Sequence, residues 1–505
     1  MRLVVHLRKR YALMASAMGM ILLLAGAVLL TPLIGLVVDP KEASQTLAFV
    51  APAMLTCLLG LVLRRLRPPL EEEALTVTEG GIVVTLSWLL VVLVSAWPFM
   101  QVLGLSFSQA VFESMSGWTT TGLSVVDVSH AGSLILLWRS ITQFAGGAGL
   151  AIIMMSALVG PTGVGIASAE GRADQLVPQV KQSARLVLII YGGYAVAGIL
   201  AYWLAGMTLF DAVNHSFAAI STGGFSTKAA SIGFWDSPLV EAVTLVLMIL
   251  GNLSFVTAWF LWQGKLATVT RNGEVRLMAL VIPLAASGLF AFTTLSLYPM
   301  AGKALRVALF EAVTALTTTG FSTVGYGDWN SFGILLMILL MLIGGGTCST
   351  AGAIKQFRVY LLWRLLKWEI QRNLLPRTAV QERPLWEGER LVFVNDAKVR
   401  QAAVFVFLYL ATFLLGSLVL CASGFKLGDS LFEFASSLGT VGLSVGLTTA
   451  GMPLGAMWAE TLAMFLGRLE FLVIFATAIK IGRDLPKLLG SGATTPSLPH
   501  PANSP

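Results

Sequence analysis

The sequence predicts an all-α polytopic membrane protein. Four repeated units of membrane helix, pore loop and membrane helix surround one pore, and two further transmembrane helices precede them. Three observations predict this fold: the composition, ten long apolar stretches and four matching short segments. Of the 505 residues, 56% are hydrophobic and only 12% are charged, about half the ~25% charged residues of a soluble domain. The chain is therefore predicted to lie in a membrane, with no large hydrophilic domain.

Ten apolar stretches are long enough to cross a bilayer, which takes about 20 helical residues. They cover 11–38, 46–66, 81–103, 132–159, 184–206, 238–264, 277–300, 331–362, 400–423 and 454–479. The first is too long for a signal-peptide core, so we interpret it as an uncleaved span. Alternate connections carry most of the 33 Lys and Arg residues, which predicts the cytoplasmic (inner) membrane with both termini in the cytoplasm. Topology thus explains the basic charge, and no nucleic acid binding is expected.

The repeat divides the chain into six predicted parts. These are an N-terminal transmembrane hairpin (1–70), pore unit 1 (71–170), pore unit 2 (171–270), pore unit 3 with a cytoplasmic loop (271–397), pore unit 4 (398–487) and a tail (488–505). The tail is predicted to be disordered because it is rich in Gly, Pro and Ser. The three cysteines lie in or beside apolar segments and indicate neither a disulfide framework nor a zinc site.

Four outer connections each contain an apolar segment too short to cross, followed by small residues. These segments align without gaps as Thr-x-Gly-x-Ser at Trp118–Ser124, Ile220–Ser226, Leu316–Ser322 and Leu438–Ser444. Small residues also allow helices to pack closely in membranes, which is the alternative explanation. Four segments in register, each before a spanning helix and on one side, instead favour re-entrant loops, because non-helical backbone at membrane depth must line a cavity or be buried in protein.

Such segments suit the dehydration of a cation. A ring of backbone carbonyls can replace the hydration shell of an ion, and Gly permits the left-handed backbone that aims successive carbonyls inward. The candidate potassium-binding filter residues are Thr120, Thr121, Gly122, Thr222, Gly223, Gly224, Thr318, Thr319, Gly320, Thr440, Val441 and Gly442.

Two features predict a gate below this filter. The eighth stretch is interrupted by Gly344, Gly345, Gly346, Thr347, Ser349, Thr350 and Gly352. A polar, Gly-rich segment cannot face lipid, so it is either a packed kink or, as we favour, a flexible barrier. Arg468 lies inside the last stretch, where a charge is expensive. It is either an electrostatic barrier facing the pore, our preferred interpretation, or part of a structural ion pair.

Acidic residues precede three of the four filter glycines by nine positions. Glu113, Glu311 and Glu433 occupy these positions, and His215 takes the equivalent place in the second unit. The carboxylates either raise the cation concentration at the mouth or bond filter amides, and we favour the structural role. Arg139, at the start of the fourth stretch, is expected to lie at the membrane interface.

These motifs resemble the Trk/Ktr/HKT superfamily of potassium transporters, and most closely its bacterial TrkH branch. The resemblance covers about residues 1–487 and includes the four single-glycine filters, the segment from Gly344 to Gly352 and Arg468. It implies that the chain is a potassium uptake protein, that the four glycines form its filter, and that the intramembrane loop is its gate. Ala353 departs from the second Gly of many members, and His215 departs from the acid of the other units.

The resemblance also implies partners. A homodimer is expected, and a cytoplasmic nucleotide-binding ring of the TrkA or KtrA type is expected to control opening. The basic 355–400 stretch would face this ring, although a basic amphipathic helix at the membrane surface explains it equally well. No cofactor is expected in this chain apart from bound potassium ions, because the nucleotide would belong to the partner.

Two alternatives to potassium uptake stay open. A sodium-permeable or sodium-coupled transporter of the same fold is one, although Gly122 favours potassium because some sodium-preferring relatives carry Ser there. A membrane enzyme is the other, but the four scattered histidines form no catalytic or metal cluster and no Walker sequence is present. We therefore expect a non-enzymatic protein that moves potassium passively or by symport with another cation.

Overall fold

A computed structural model describes residues 2–66, 75–149, 180–376, 382–387, 390–469 and 471–488. Helices dominate this part of the chain, and the all-α polytopic architecture is confirmed. Six helices are long and apolar enough to cross a membrane, or up to eight spans if each of two bent helix pairs counts as one. The predicted tail from residue 489 and the second part of the predicted fourth span lie outside the described residues.

Two helices form an N-terminal hairpin. Helix α1 (Arg2–Leu30) is followed by two 3-10 turns (Thr31–Val37 and Pro40–Gln45) and by α2 (Thr46–Arg65). A side chain on Gly19 would collide with the carbonyl oxygen of Gly60. The two backbones therefore approach as closely as small residues allow at helix contacts in membranes.

The first two units follow. The first contains α3 (Val77–Ser95), α4 (Trp97–Leu103), the pore helix α5 (Phe107–Trp118) and α6 (Ser133–Ala148). The second contains α7 (Val180–Leu204), the pore helix α8 (Leu209–Ile220), a 3-10 turn (Ser231–Phe234), α9 (Pro238–Asn252), α10 (Phe255–Trp262) and the connecting α11 (Leu266–Arg271). Capping residues explain where the pore helices begin, because Ser106 forms a capping box with Gln109 and Thr208 accepts from the Asp211 amide.

The third and fourth units repeat this order, although the exact unit boundaries stay a prediction. The third contains α12 (Gly273–Leu289), a π-helical turn (Phe290–Thr294), α13 (Leu295–Leu297), the pore helix α14 (Ala301–Leu316), α15 (Ser331–Ile343) and α16 (Gln356–Leu374). Strands β1 (Pro384–Glu387) and β2 (Arg390–Phe393) follow, and then α17 (Asp396–Ala422), the pore helix α18 (Leu427–Leu438), α19 (Leu454–Arg468) and α20 (Phe471–Leu488).

The prediction of continuous spans over 238–264 and 454–479 was wrong. Helices α9 and α10 meet at 117°, and α19 and α20 meet at 102°. The first break follows from local capping, because Ser254 accepts from the Thr257 amide and starts a new helix. The predicted interruption of 331–362 is present, since α15 ends at Ile343 and its C-cap, Gly344, has a φ of +72°.

The connection that the sequence places in the cytoplasm contains more secondary structure than predicted. The basic helix is α16, but the antiparallel hairpin of β1 and β2, paired from Pro384 with Phe393 to Glu387 with Arg390, has no counterpart in the prediction. Leu361, Trp368, Leu385, Val394 and Ala402 form a hydrophobic cluster of their own here. The hairpin packs onto this cluster, which explains why it folds beside an otherwise helical membrane protein.

Candidate functional site

The four filter segments share one unusual backbone. Thr120, Thr222, Thr318 and Thr440 have φ values of 57°, 51°, 53° and 50°. A left-handed conformation is rare for a β-branched residue and is held only where the surroundings impose it. The glycines two positions later also have positive φ, between 74° and 98°. The matching geometry means that the sequence repeat is also a structural repeat.

These segments close into a ring. A side chain on Gly122 would collide with the carbonyl oxygen of Gly223, and one on Gly224 with that of Thr319. The same holds for Gly320 against the Val441 carbonyl and for Gly442 against the Thr121 carbonyl. Each unit thus contacts the next and the fourth contacts the first, which is the arrangement that a carbonyl-lined ion filter requires.

A vestibule lies outside this ring. Its volume is about 680 Å³, and all four filter glycines contribute to its wall. Ser124, Asp127, Ser226 and Thr448 also line it. A space of this volume has room for a hydrated cation.

Pore-helix carboxylates hold the chain just beyond three of the four filter glycines. Glu113 accepts from the Val125 amide at 3.0 Å, and Glu433 accepts from the Val445 amide at 3.0 Å. Glu311 accepts from the Thr323 amide at 2.9 Å and from the Tyr326 hydroxyl at 2.6 Å. All three are buried, so the structural interpretation describes them better than a surface charge at the mouth.

In the second unit, His215 connects the pore helix to the filter segment, as the carboxylates do in the other units. Its Nε2 lies 2.8 Å from the Ser226 hydroxyl, and its Nδ1 lies 2.8 Å from the Asp211 carbonyl. The departure from an acid in the second unit therefore keeps a tie between pore helix and filter segment.

Arg139 does not lie at an interface, contrary to the prediction. Its side chain is only 3% exposed, and its Nε lies 2.8 Å from a Glu113 carboxylate oxygen. It also donates to the Ser226 carbonyl at 3.0 Å, and its guanidinium lies 4.0 Å from the centre of the Phe225 ring. The prediction failed because the helix start seemed to place Arg139 at the surface, whereas the neighbouring unit covers it.

Gln143 holds the second candidate filter segment, and the sequence analysis missed it. Its Nε2 donates to the carbonyl of Gly223, and its Oε1 accepts from the Phe225 amide at 3.1 Å. This fully buried side chain of α6 thus positions the second filter segment. A lone amide inside an apolar stretch was the available signal, because polar residues within spans are often functional.

The Gly-rich loop meets the inner side of the ring. Thr350 donates to the Ile220 carbonyl at 3.3 Å, and its hydroxyl accepts from Thr222 at 3.0 Å. The Gly352 amide donates to the Thr318 hydroxyl at 3.0 Å, and a side chain on Gly352 would collide with the Thr440 hydroxyl. The loop therefore contacts three of the four filter threonines.

Neighbouring elements hold this loop. Asn252 accepts from the Gly346 amide through its side-chain Oδ1 at 3.2 Å, and Glu274 accepts from the Thr347 amide at 2.7 Å. The Phe255 amide donates to the Cys348 carbonyl at 3.3 Å. The break between α9 and α10 thus provides one wall for the loop.

Arg468 lies at the end of α19 beside the break, rather than midway along a continuous helix. It donates to the Thr350 carbonyl and, at 2.6 Å, to the Gly146 carbonyl. These bonds join the loop to the end of α6. The cavity beside Arg468 and the loop has a volume of about 20 Å³, room for about one water molecule.

Known proteins similar to this chain are named as transporters. A profile of the TrkH family, described as a cation transport protein, matches residues 48–484. The chain belongs to the TrkH family. This TrkH-family chain is therefore a multi-span membrane protein, and the resemblance drawn from its motifs is confirmed.

Relatives cover most of this TrkH-family chain. It is 31% identical over 440 residues to an uncharacterised cation transporter of Methanocaldococcus jannaschii, covering 85% of this chain and 88% of the relative. It is 32% identical over 409 residues to the Trk system potassium uptake protein TrkG of Escherichia coli, covering 78% and 82%. The crystal structure of the potassium transporter TrkH from Vibrio parahaemolyticus is similar with a TM-score of 0.80 and 27% identity, covering 93% of this chain and 98% of that one.

Proposed function

We propose that this protein takes up potassium across the cytoplasmic membrane through the four-glycine filter. The closed ring of filter segments carries this proposal, because it surrounds one axis with carbonyl oxygens from all four units. Relatives named as potassium uptake proteins support potassium as the cargo. Their description as transporters supports a non-enzymatic role.

The inner end of the ring offers further ligands. The hydroxyl oxygens of Thr120 and Thr440 are buried and have no hydrogen-bond partner among the described residues. An orphaned buried hydroxyl costs free energy, and a dehydrated cation at this level would repay that cost. The innermost binding site is thus proposed at the threonines, with the carbonyls of Thr121, Gly223, Thr319 and Val441 above it.

Replacing a filter glycine tests this function. Rubidium-86 uptake into liposomes containing the purified chain, competed with potassium, sodium and lithium, measures selectivity. Gly320→Ser places a side chain against the Val441 carbonyl at a positive φ of 84°, so we expect the preference for potassium over sodium to fall. Gly327→Ser is the matched control, since a side chain there meets open space.

Native selectivity in the Gly320→Ser variant would contradict the filter. Uptake that sodium competes as well as potassium in the native chain would favour a sodium-permeable transporter of the same fold. If purified chain takes up no rubidium, the regulatory ring and its nucleotide are added before the function is rejected.

The same proposal assigns gating to the intramembrane loop and Arg468. The loop contacts the filter threonines from the inner side, and the guanidinium bonds a loop carbonyl. A fixed positive charge beside the ion path also repels a cation. Both effects keep the path closed in this conformation.

Removing the guanidinium tests the gate. We expect Arg468→Ala to raise rubidium uptake, because the loop loses its tie to α6 and the barrier loses its charge. Arg483→Ala is the control, since Arg483 is exposed on α20. Unchanged or lower uptake in well-inserted Arg468→Ala protein would contradict the barrier role.

Regulation and assembly complete the proposal. Two relatives are named as potassium uptake proteins of a Trk system, which supports control by a cytoplasmic nucleotide-binding ring. The basic helix α16 and the hairpin of β1 and β2 form the surface proposed to receive it. Both termini are proposed to be cytoplasmic, and two chains are proposed to form a homodimer.

A further inference from the structure

A pair of buried carboxyl groups lies behind the fourth filter segment. Glu433 of α18 and Glu460 of α19 are both fully buried. Thr448, in the loop that connects their helices, lies between them. Its hydroxyl oxygen is 2.5 Å from Oε1 of Glu433 and 3.1 Å from Oε2 of Glu460. The two acids are therefore bridged by one hydroxyl group.

The number of hydrogen atoms available to these contacts decides which of the two acids is ionised. A threonine hydroxyl carries one hydrogen, and the shorter contact assigns it to Glu433. Glu433 also accepts from the Ser444 hydroxyl at 2.6 Å and from the amides of Val445 and Thr448, each at 3.0 Å. Four donors stabilise a carboxylate, so Glu433 is ionised.

Glu460 has no such support. The hydroxyl presents it with a lone pair, and its other oxygen, Oε1, is buried without a hydrogen-bond partner. Two oxygens at 3.1 Å attract each other only when one of them carries a hydrogen. Glu460 is therefore the group that holds a proton and donates it to Thr448.

No cation offers an alternative. Across the described ranges, no Lys, Arg or His side chain pairs with Glu460. Helices α5, α17, α18 and α20 pack against α19. Helix α5 contributes only Glu113, which Arg139 neutralises. On α19 itself, Arg468 lies eight residues further along, about 12 Å at 1.5 Å per residue.

The remaining titratable groups of these helices are elsewhere. Helix α18 adds Asp429 in its first turn, and α17 carries the buried Tyr409. The other charges lie in the first turns of α17 and in the C-terminal half of α20: Asp396, Lys398, Arg400, Lys480, Arg483, Asp484 and Lys487. Within this hydrogen-bond network, the charged group nearest to Glu460 is therefore the carboxylate of Glu433.

We propose that Glu460 is a proton-binding site that exchanges with the outer vestibule and controls the fourth filter segment. Thr448 lines the vestibule and so connects the site to the outer solution. Loss of the proton would leave two carboxylates facing one hydroxyl, and their repulsion would break the bridge. The bridge also holds the chain beyond Gly442, because Glu433 bonds Ser444 and Val445.

The direction in which external pH changes uptake follows from this arrangement. Protonated Glu460 keeps the bridge and the filter segment in place, so uptake is high at neutral and acidic external pH. An alkaline outer solution removes the proton and lowers uptake. This consequence rests on the proposed potassium uptake, whereas the proton itself is measured without transport.

Infrared spectroscopy of the purified chain detects the proton. The carbonyl stretch of a protonated carboxylic acid absorbs at a different frequency from the stretches of ionised carboxylates. We expect one such band to disappear in Glu460→Gln, and to change frequency without disappearing in Thr448→Val, because the acid then loses its acceptor. Glu369→Gln, at an exposed cytoplasmic carboxylate, should leave the band intact. A band retained in Glu460→Gln, or unchanged in Thr448→Val, would overturn the site.

Rubidium uptake at varied external pH tests the control. In the native chain and in Asp328→Asn, which changes an exposed acid outside the vestibule wall, uptake should fall several-fold from neutral to alkaline external pH. In Glu460→Gln, whose amide mimics the protonated acid, this fall should be lost. A fall of native size in Glu460→Gln would overturn the regulatory role. If the native chain shows no uptake with its regulatory partner present, the proposed function fails, while the infrared result still decides the proton site.

Discussion

Buried charges near the filter are neutralised by single, well-placed partners. Arg139 is the clearest case, because its guanidinium joins Glu113 of the first unit to the Ser226 carbonyl of the second. From the sequence, a charged residue at the start of a predicted span was expected to lie at the membrane interface. The actual site is buried, where leaving one partner alone costs far more than at the surface.

Truncation of Arg139 is expected to destabilise the fold. Arg139→Met leaves Glu113 buried and unpaired, which costs about 3–5 kcal/mol. Lys303→Met is the matched control, since the Lys303–Asp236 pair is half-exposed and is worth less than about 1 kcal/mol. Denaturant unfolding in detergent measures both free energies. Equal losses in the two variants would contradict the importance of burial.

At the scale of elements, the second helices of the second and fourth units are broken rather than continuous. Helix α9 ends at Asn252 and α19 ends at Arg468, and each end contacts the Gly-rich loop of the third unit. Backbone groups freed by the breaks find partners inside the protein, as they must at membrane depth. The loop itself takes left-handed conformations at Cys348, Ala353 and Lys355, although none of these three residues is a glycine.

Loosening the wall of the loop is expected to open the path. Asn252→Ala removes the side-chain acceptor of the Gly346 amide, worth about 1 kcal/mol. If the loop is the gate, this raises the open population and rubidium uptake about fivefold. Asn330→Ala costs a similar ~1 kcal/mol, because Asn330 caps α15, but it does not touch the loop. Equal uptake by both variants would argue against gating by the loop.

At the scale of the whole molecule, the two sides of the filter differ. The vestibule of about 680 Å³ is wide, whereas the cavity beside the loop holds about 20 Å³. Asp127 contributes a negative charge to the wide side. Hydrogen bonds from Ser129 and His130 lower the pKa of Asp127 to about 2, so this carboxylate is ionised at neutral pH.

Asp127 is expected to concentrate cations at the mouth. In low salt, Asp127→Asn should raise the rubidium concentration that gives half-maximal uptake, because the local potential becomes less negative. The difference should vanish near 1 M salt, where the Debye length is about 3 Å. Asp328→Asn is the control, since this exposed acid lies outside the vestibule wall. A difference that persists in high salt would contradict an electrostatic role.

The sequence by itself determined the features that depend on local pattern. Apolar length predicted the long helices, and the register of Thr-x-Gly-x-Ser predicted four equivalent segments because each repeats the same backbone. The Gly344–Gly352 interruption was also predicted, since glycine runs break helices wherever they occur. These properties belong to a few neighbouring residues, so no knowledge of distant contacts was needed.

Only the tertiary structure decided which groups meet. Arg139 and Gln143 reach the second filter segment, Arg468 reaches a carbonyl of the third unit, and Thr448 bridges two acids. The breaks after Asn252 and Arg468 were likewise missed, because hydropathy records only apolar length. Each of these contacts joins residues that are separated in the chain. A buried charge or amide needs a hydrogen-bond partner, and the tertiary packing decides which partner it meets.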